Sequence, residues 1–271
     1  MKTILLHIHE DSAQNSRMEV ALDIARATGA HVRCLQVTPV IDYVSADMYG
    51  GSYVLPQDID NIRIAEAKEK EKIEARIQRE GVAWDWRHSD GDVVQCILSA
   101  SRLVDAIIVT LPGPGRRGIG DPLPIVADLA ISSRAPILAV PKGCKAFACQ
   151  GRAMVAWDGS HEAAVALCAA RPLLALASEV HVVTVEEKAK RDFPPIDASE
   201  YLSRHGIASE IHEWPRKGRT VEEALAAAAA ELRVDWITMG AFGHSRLRET
   251  IFGGVTRYLL GEARVPLLLA H

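Results

Sequence analysis

The chain has 271 residues, 48% hydrophobic, 24% charged and 5% aromatic, with a formal net charge of −4. At about 150 residues per domain this length holds two domains, with cores built on Val, Ile, Leu and Ala, and the absence of a basic stripe argues against a nucleic-acid partner. No apolar run approaches the roughly 18 residues of a membrane span, and MKTILLHIHEDS lacks the layout of a signal peptide, so no membrane association and a cytoplasmic location are expected.

In chain order, Ile4 to Ile8 reads as a first strand that leads through an acidic, Ser-containing turn into an Ala-rich helix. His7 and His9 share one face of that strand, but no third ligand is evident, and no metal site is expected. Ile41 to Pro56 carries Asp47, Gly50 and Gly51 and reads as an inserted loop. Lys68 to Arg79 interleaves both charge signs, as a solvated helix face does. The five cysteines (Cys34, Cys96, Cys144, Cys149 and Cys168) form no CxxC pairs, and ordinary reduced thiols are expected. A linker is expected near Lys142 to Gly151, separating a domain at 1–142 from one at 151–271.

In the second part, strands are expected at Arg152–Trp157, Val180–Val185, Ile207–Trp214, Trp236–Met239 and Pro266–Ala270. Helices are expected at His161 to about Leu176, with a kink at Pro172, at Asp197–His205, at Val221–Leu232 behind a Thr220/Glu223 capping box, and at Gly253–Gly261. Short apolar strands alternating with helices predict a parallel sheet covered on both faces.

The two parts repeat one another. VDAIIVTLPG and VDWITMGAFG align with Asp105 and Asp235 130 residues apart, and Pro136 and Pro266 keep the same offset. The fold class expected is therefore α/β, as two tandem parallel five-stranded sheets with helices on both faces.

After the fourth strand of the second part, Gly240, Gly243 and Gly253 form G-x2-G-x9-G, followed by Gly254, Val255 and Thr256 at the start of a helix. Ligands of open α/β sheets bind beyond the carboxyl ends of strands. Glycines there let backbone approach a ligand, and a helix N-terminus favours an anion. Arg246 and Arg248 add charge, and His161 and His244 flank the position. The same offset puts Thr110, Gly113, Leu123 and Pro124 at the equivalent places in the first part, where Pro124 has no N–H to offer. Gly113, Gly115 and Gly118 do fit G-x-G-x-x-G, but Gly120, Pro122 and Pro124 delay the helix that a dinucleotide fold requires.

The glycine pattern, the tandem length and VAWDGSHEA at the head of the second part resemble the universal stress protein family. The resemblance implies an adenine nucleotide, ATP, ADP or AMP, with or without Mg²⁺, bound by the second domain alone. It places Asp158 at the nucleoside and Gly240, Gly243 and Gly253 around the phosphates, with His244, Arg246, Gly254, Val255 and Thr256 completing the candidate set. The family pattern has Ser or Thr where this chain has Gly254, which removes one hydroxyl donor. The resemblance also implies that the last strands of the two units pair, as a pseudo-dimer within one chain, and leaves a further homodimer and an unidentified protein partner open. No catalytic residue can be assigned: there is no Walker lysine, and any ATP hydrolysis is expected to be slow. The alternative is an interaction scaffold of the same family that has lost its nucleotide.

Overall fold

The computed structural model describes residues 1–39, 45–46, 52–53, 56–111, 113, 121–186, 193–242 and 254–271. In chain order its elements are β1 (Thr3–Ile8), α1 (Gln14–Thr28), β2 (His31–Thr38), β3 (Ser45–Ala46), β4 (Ser52–Tyr53), α2 (Pro56–Glu80), β5 (Trp84–Asp90), α3 (Val93–Ala100), β6 (Ala106–Thr110), α4 (Val126–Ser132), β7 (Ile137–Val140), β8 (Arg152–Ala156), α5 (His161–Leu174), β9 (Glu179–Val185), α6 (Pro195–Arg204), β10 (Glu210–Trp214), α7 (Val221–Glu231), β11 (Trp236–Gly240), α8 (Gly254–Glu262) and β12 (Leu267–Ala270).

The two parallel five-stranded sheets are joined edge to edge into one ten-stranded sheet. Its order is β10-β9-β8-β11-β12-β7-β6-β1-β2-β5. Read outward from the centre, β7-β6-β1-β2-β5 and β12-β11-β8-β9-β10 have the same connectivity. All pairings are parallel except the central one, where β12 meets β7 antiparallel, with Leu268 opposite Leu138. This junction removes two apolar strands from the edges, where they would otherwise be templates for aggregation. Within the inserted segment the described residues form only a two-residue antiparallel pair, Ser45–Ala46 with Ser52–Tyr53.

The side-chain period of two sorts each strand into two cores. Ile4, Leu6 and Ile8 of β1 pack with Met18 and Leu22 of α1, Ile73 and Ile77 of α2, and Leu167 of α5. Leu5 of the same strand faces the other way, toward a core that includes Ile97 of α3, Leu129 of α4, Leu225 of α7 and Leu259 of α8. Apolar burial at about 25 cal/mol per Å² on both faces stabilises the sheet, so inner strands such as β6, β7 and β12 read as near-continuous apolar runs, while the edge strands β5 and β10 are mixed. At the entry to α7, Thr220 and Glu223 make the expected reciprocal capping box.

The repeat extends to individual hydrogen bonds. Asp105 takes the backbone N–H groups of Lys2 and Thr3 on its carboxylate, while its own N–H donates to Thr3 O at 2.8 Å. Asp235 accepts from Arg152 N at 2.7 Å and donates from its own N–H to Arg152 O at 2.8 Å. The carbonyls of Pro136 and Pro266 likewise accept from Ile107 and Ile237.

Residues 142–151 are docked along much of their length. Gly143 N donates to Ser16 Oγ at 3.1 Å and Phe147 N to Asp23 Oδ2 at 2.7 Å, both on α1. The Phe147 ring packs 5.7 Å from that of the fully buried Trp236. Cys149 is buried here as a free thiol, and burial pushes its pKa up to about 11, so it is protonated at neutral pH.

Candidate functional site

Each half has a crevice where the chain leaves its first strand in one direction and later returns on the other side. These switch points lie at the carboxyl ends of β1 and β6 and of β8 and β11.

In the second half, Trp157 follows β8 and is anchored three ways. Its N–H donates to Val183 O at 2.8 Å, its carbonyl accepts from Thr184 Oγ1 at 2.6 Å, and its indole N–H donates to Phe193 O at 3.1 Å. Asp158 comes next and is exposed. Its Oδ1 accepts from both Ser160 N, at 2.9 Å, and Ser160 Oγ, at 2.6 Å. Ser160 in turn caps α5 by accepting from Ala163 N at 3.1 Å. Gly159 between them has φ +79°, and a side chain there would meet Phe193 O at 2.6 Å. The sequence D-G-S thus builds a tight turn that sets an acid beside the N-terminus of α5.

Across the crevice stands Gly240, the last residue of β11. The sequence reading gave this glycine to the approach of a ligand. Its described surroundings give a different reason. A Cβ here would lie 2.6 Å from Ala163 N and from Glu162 C, so the first turn of α5 lies against the Gly240 backbone. The positive φ falls two residues later, at Phe242, with φ 64°. The intervening Ala241 is pinned, its N–H donating to Ala270 O at 2.8 Å and its carbonyl lying 2.8 Å from His271 Nδ1. His271 was not singled out in the sequence, which has no local signal for a contact 30 residues away.

Gly243, His244, Arg246 and Gly253 lie outside the described residues, as do Arg248, Gly115, Gly118 and Gly120. Gly254 is the first residue of α8. Val255 packs against the core that also holds Leu259 and Leu260, and Thr256 is buried. Among the candidates, Asp158 and Gly240 therefore flank one crevice from β8 and β11, while Val255 and Thr256 lie on α8.

The first-half crevice is filled from within. Sheet register pairs Ile4 with Ala106 and Ala153 with Trp236, which places His9 where the second half has Asp158. Arg17 of α1 is 1% exposed and reaches across the crevice. Its guanidinium donates to the carbonyls of His7, at 3.1 Å, and His9, at 2.8 Å, to Gln14 Oε1, to Thr110 Oγ1 and to both oxygens of Asp11. The Asp11 and Arg17 side chains are each 1% exposed. Burial pulls the guanidinium below its ordinary pKa, and Asp11 opposes that. Burial, then the Arg17 charge, also holds His7 well below the usual histidine range. His7 and His9 stack in parallel, 5.8 Å apart, beside this cation, a setting unfavourable to a metal ion. Thr110 occupies the place of Gly240, and its hydroxyl is one of the groups that satisfy Arg17. Sequence reasoning missed Arg17 and Asp11, because an aspartate in a turn and an arginine in the first turn of the following helix read as solvent-exposed unless the fold buries them.

Residues 151–271 match the model of the universal stress protein family. A universal stress protein of Synechocystis sp. is 28% identical over 191 residues, which are 67% of this chain and 63% of that protein, so the match spans less than two thirds of that relative. The crystal structure of a universal stress protein from Archaeoglobus fulgidus superposes on 99% of this chain and 95% of its own, with a TM-score of 0.79 at 18% identity. A putative universal stress protein from Pseudomonas aeruginosa superposes on 100% of this chain and 93% of its own, with a TM-score of 0.64 at 15% identity. Such low identities speak for the fold alone. The sequence match supplies the rest: residues 151–271 are a universal stress protein domain.

Proposed function

We propose that this chain is a tandem universal stress protein acting in regulation rather than catalysis. In this reading residues 151–271 bind an adenine nucleotide, ATP, ADP or AMP, with or without Mg²⁺, and residues 1–142 are a degenerate copy that supports the assembly. The observation that carries it is the contrast between the crevices. Arg17 and Asp11 occupy the first. The second is flanked by Asp158, Gly159 and Gly240 and, among the described residues, has no buried charged side chain. The chain then enters G-x2-G-x9-G, whose backbone amides would face phosphates. Nucleotide binding would alter a surface for a protein partner in the cytoplasm.

Calorimetric titration of the full chain with ATP and Mg²⁺ tests this. One site per chain is expected. Gly253→Val should weaken it at least about tenfold, or about 1.4 kcal/mol, and Leu123→Val should leave it unchanged. Equal effects, or no binding heat, would overturn the assignment.

Gly254 favours a second reading, a scaffold without nucleotide. The hydroxyl that the family pattern puts there would be worth about 0.5–1.5 kcal/mol in a net hydrogen bond, and more to a charged group. Heating the purified protein and finding no released nucleotide, together with a flat titration, would select the scaffold.

A further inference from the structure

A different cluster lies at the opposite edge of the sheet, where β9 and β10 begin. Parallel register sets Glu210 beside His181, and His212 follows two residues later on the same face. His181 Nδ1 lies 3.1 Å from His212 Nε2. Glu210 Oε2 lies 3.8 Å from the first nitrogen and 3.7 Å from the second. Among the described residues this is one group of three donor atoms, all within 4.8 Å of one another. Ligands about 2.0–2.2 Å from a tetrahedral zinc ion stand about 3.4 Å apart, and the three separations bracket that value.

The other side of His181 adds an independent sign. The residue is 5% exposed, and its Nε2 has no hydrogen-bond partner of good geometry. That nitrogen nevertheless lies 3.4 Å from Glu179 Oε2, and Glu179 Oε1 is held by Arg152 Nε at 3.2 Å. A metal-bound histidine characteristically turns its remaining N–H toward such a carboxylate, which fixes the tautomer. Nδ1 would then carry the free lone pair toward His212 and Glu210.

We propose that His181, His212 and Glu210 form a binding site for a zinc-type divalent transition metal, with Glu179 orienting His181. Two imidazoles and a carboxylate suit such an ion better than Mg²⁺ or Ca²⁺. The site has an open side, since the Glu210 side chain is 70% exposed and that of His212 is 18% exposed. The ion would staple the outermost strand β10 to β9 at their amino ends. It is independent of the nucleotide reading, because Asp158 and Gly240 lie at the carboxyl ends of the strands.

The test is titration of the full, metal-stripped chain with Zn²⁺, and with Co²⁺ as a spectroscopic stand-in. One equivalent per chain is expected, with a visible Co²⁺ spectrum lacking the intense near-ultraviolet bands of thiolate ligation. His212→Gln should weaken binding at least about tenfold and Glu210→Gln by less. Both sites are only partly buried, so folding of these variants can be checked independently by circular dichroism. Binding that is absent up to about 100 μM, is unchanged in His212→Gln, or shows thiolate bands would overturn the site. The 3.1 Å contact would then be a plain N–H···N hydrogen bond between two histidines.

Discussion

The two crevices share one topology and differ in what fills them. In the first, Thr110 ends β6, and Arg17 bridges it to the end of β1 with Asp11 as counter-ion. In the second, Gly240 ends β11, and the first turn of α5 closes directly on its backbone. One copy thus spends its crevice on a buried ion pair, while the other keeps an exposed acid and a small-residue wall beside a helix N-terminus. A duplicated fold can diverge this way because the sheet and helices depend on apolar periodicity, which both copies retain. The crevice depends on a handful of side chains, which need not match.

The largest effect that could break this contrast is at Arg17. Arg17→Met should leave Asp11 buried without its partner and cost about 3–5 kcal/mol in urea unfolding. A loss below about 1 kcal/mol would mean that the plug is not structural. Gly240→Ala comes next, at about 1–3 kcal/mol from overpacking against α5. If its stability is unchanged while nucleotide affinity collapses, the glycine serves the ligand, as the sequence alone suggested, and not the helix contact.

The smallest effect is a pH dependence peculiar to the first crevice. His7 is held neutral when folded, so below its unfolded value of 6.5 the unfolded chain takes up a proton that the native state does not. Stability present above pH 6.5 should therefore fall as the pH drops, by up to about 1.4 kcal/mol per pH unit for this one group. His7→Gln should flatten that slope. An identical slope in the variant would assign the acid sensitivity to other groups.

The sequence made the repeat legible because Asp105 and Asp235, and Pro136 and Pro266, recur at one offset, and it showed the Thr220/Glu223 box because both partners lie within one helical turn. That the two aspartates hold the backbone of Lys2, Thr3 and Arg152 was not legible, since those partners lie far away in the chain. The sequence also placed Asp158 at the end of a strand and before a helix, where it stands. The docking of residues 142–151 on α1 was not legible, since it depends on Asp23, more than a hundred residues earlier in the chain.

What the chain's order of residues determined, then, is the alternation of strands and helices and their duplication, because periodicity and capping are short-range properties. What only the folded molecule decided is which side chains meet. Arg17 reaches Thr110 across 93 residues and His181 reaches His212 across 31, because parallel strands joined by helical crossovers bring together side chains that no sequence window contains. The charge on Arg17 and the imidazoles of the β9–β10 pair acquire their chemistry from that proximity and from the loss of water around them.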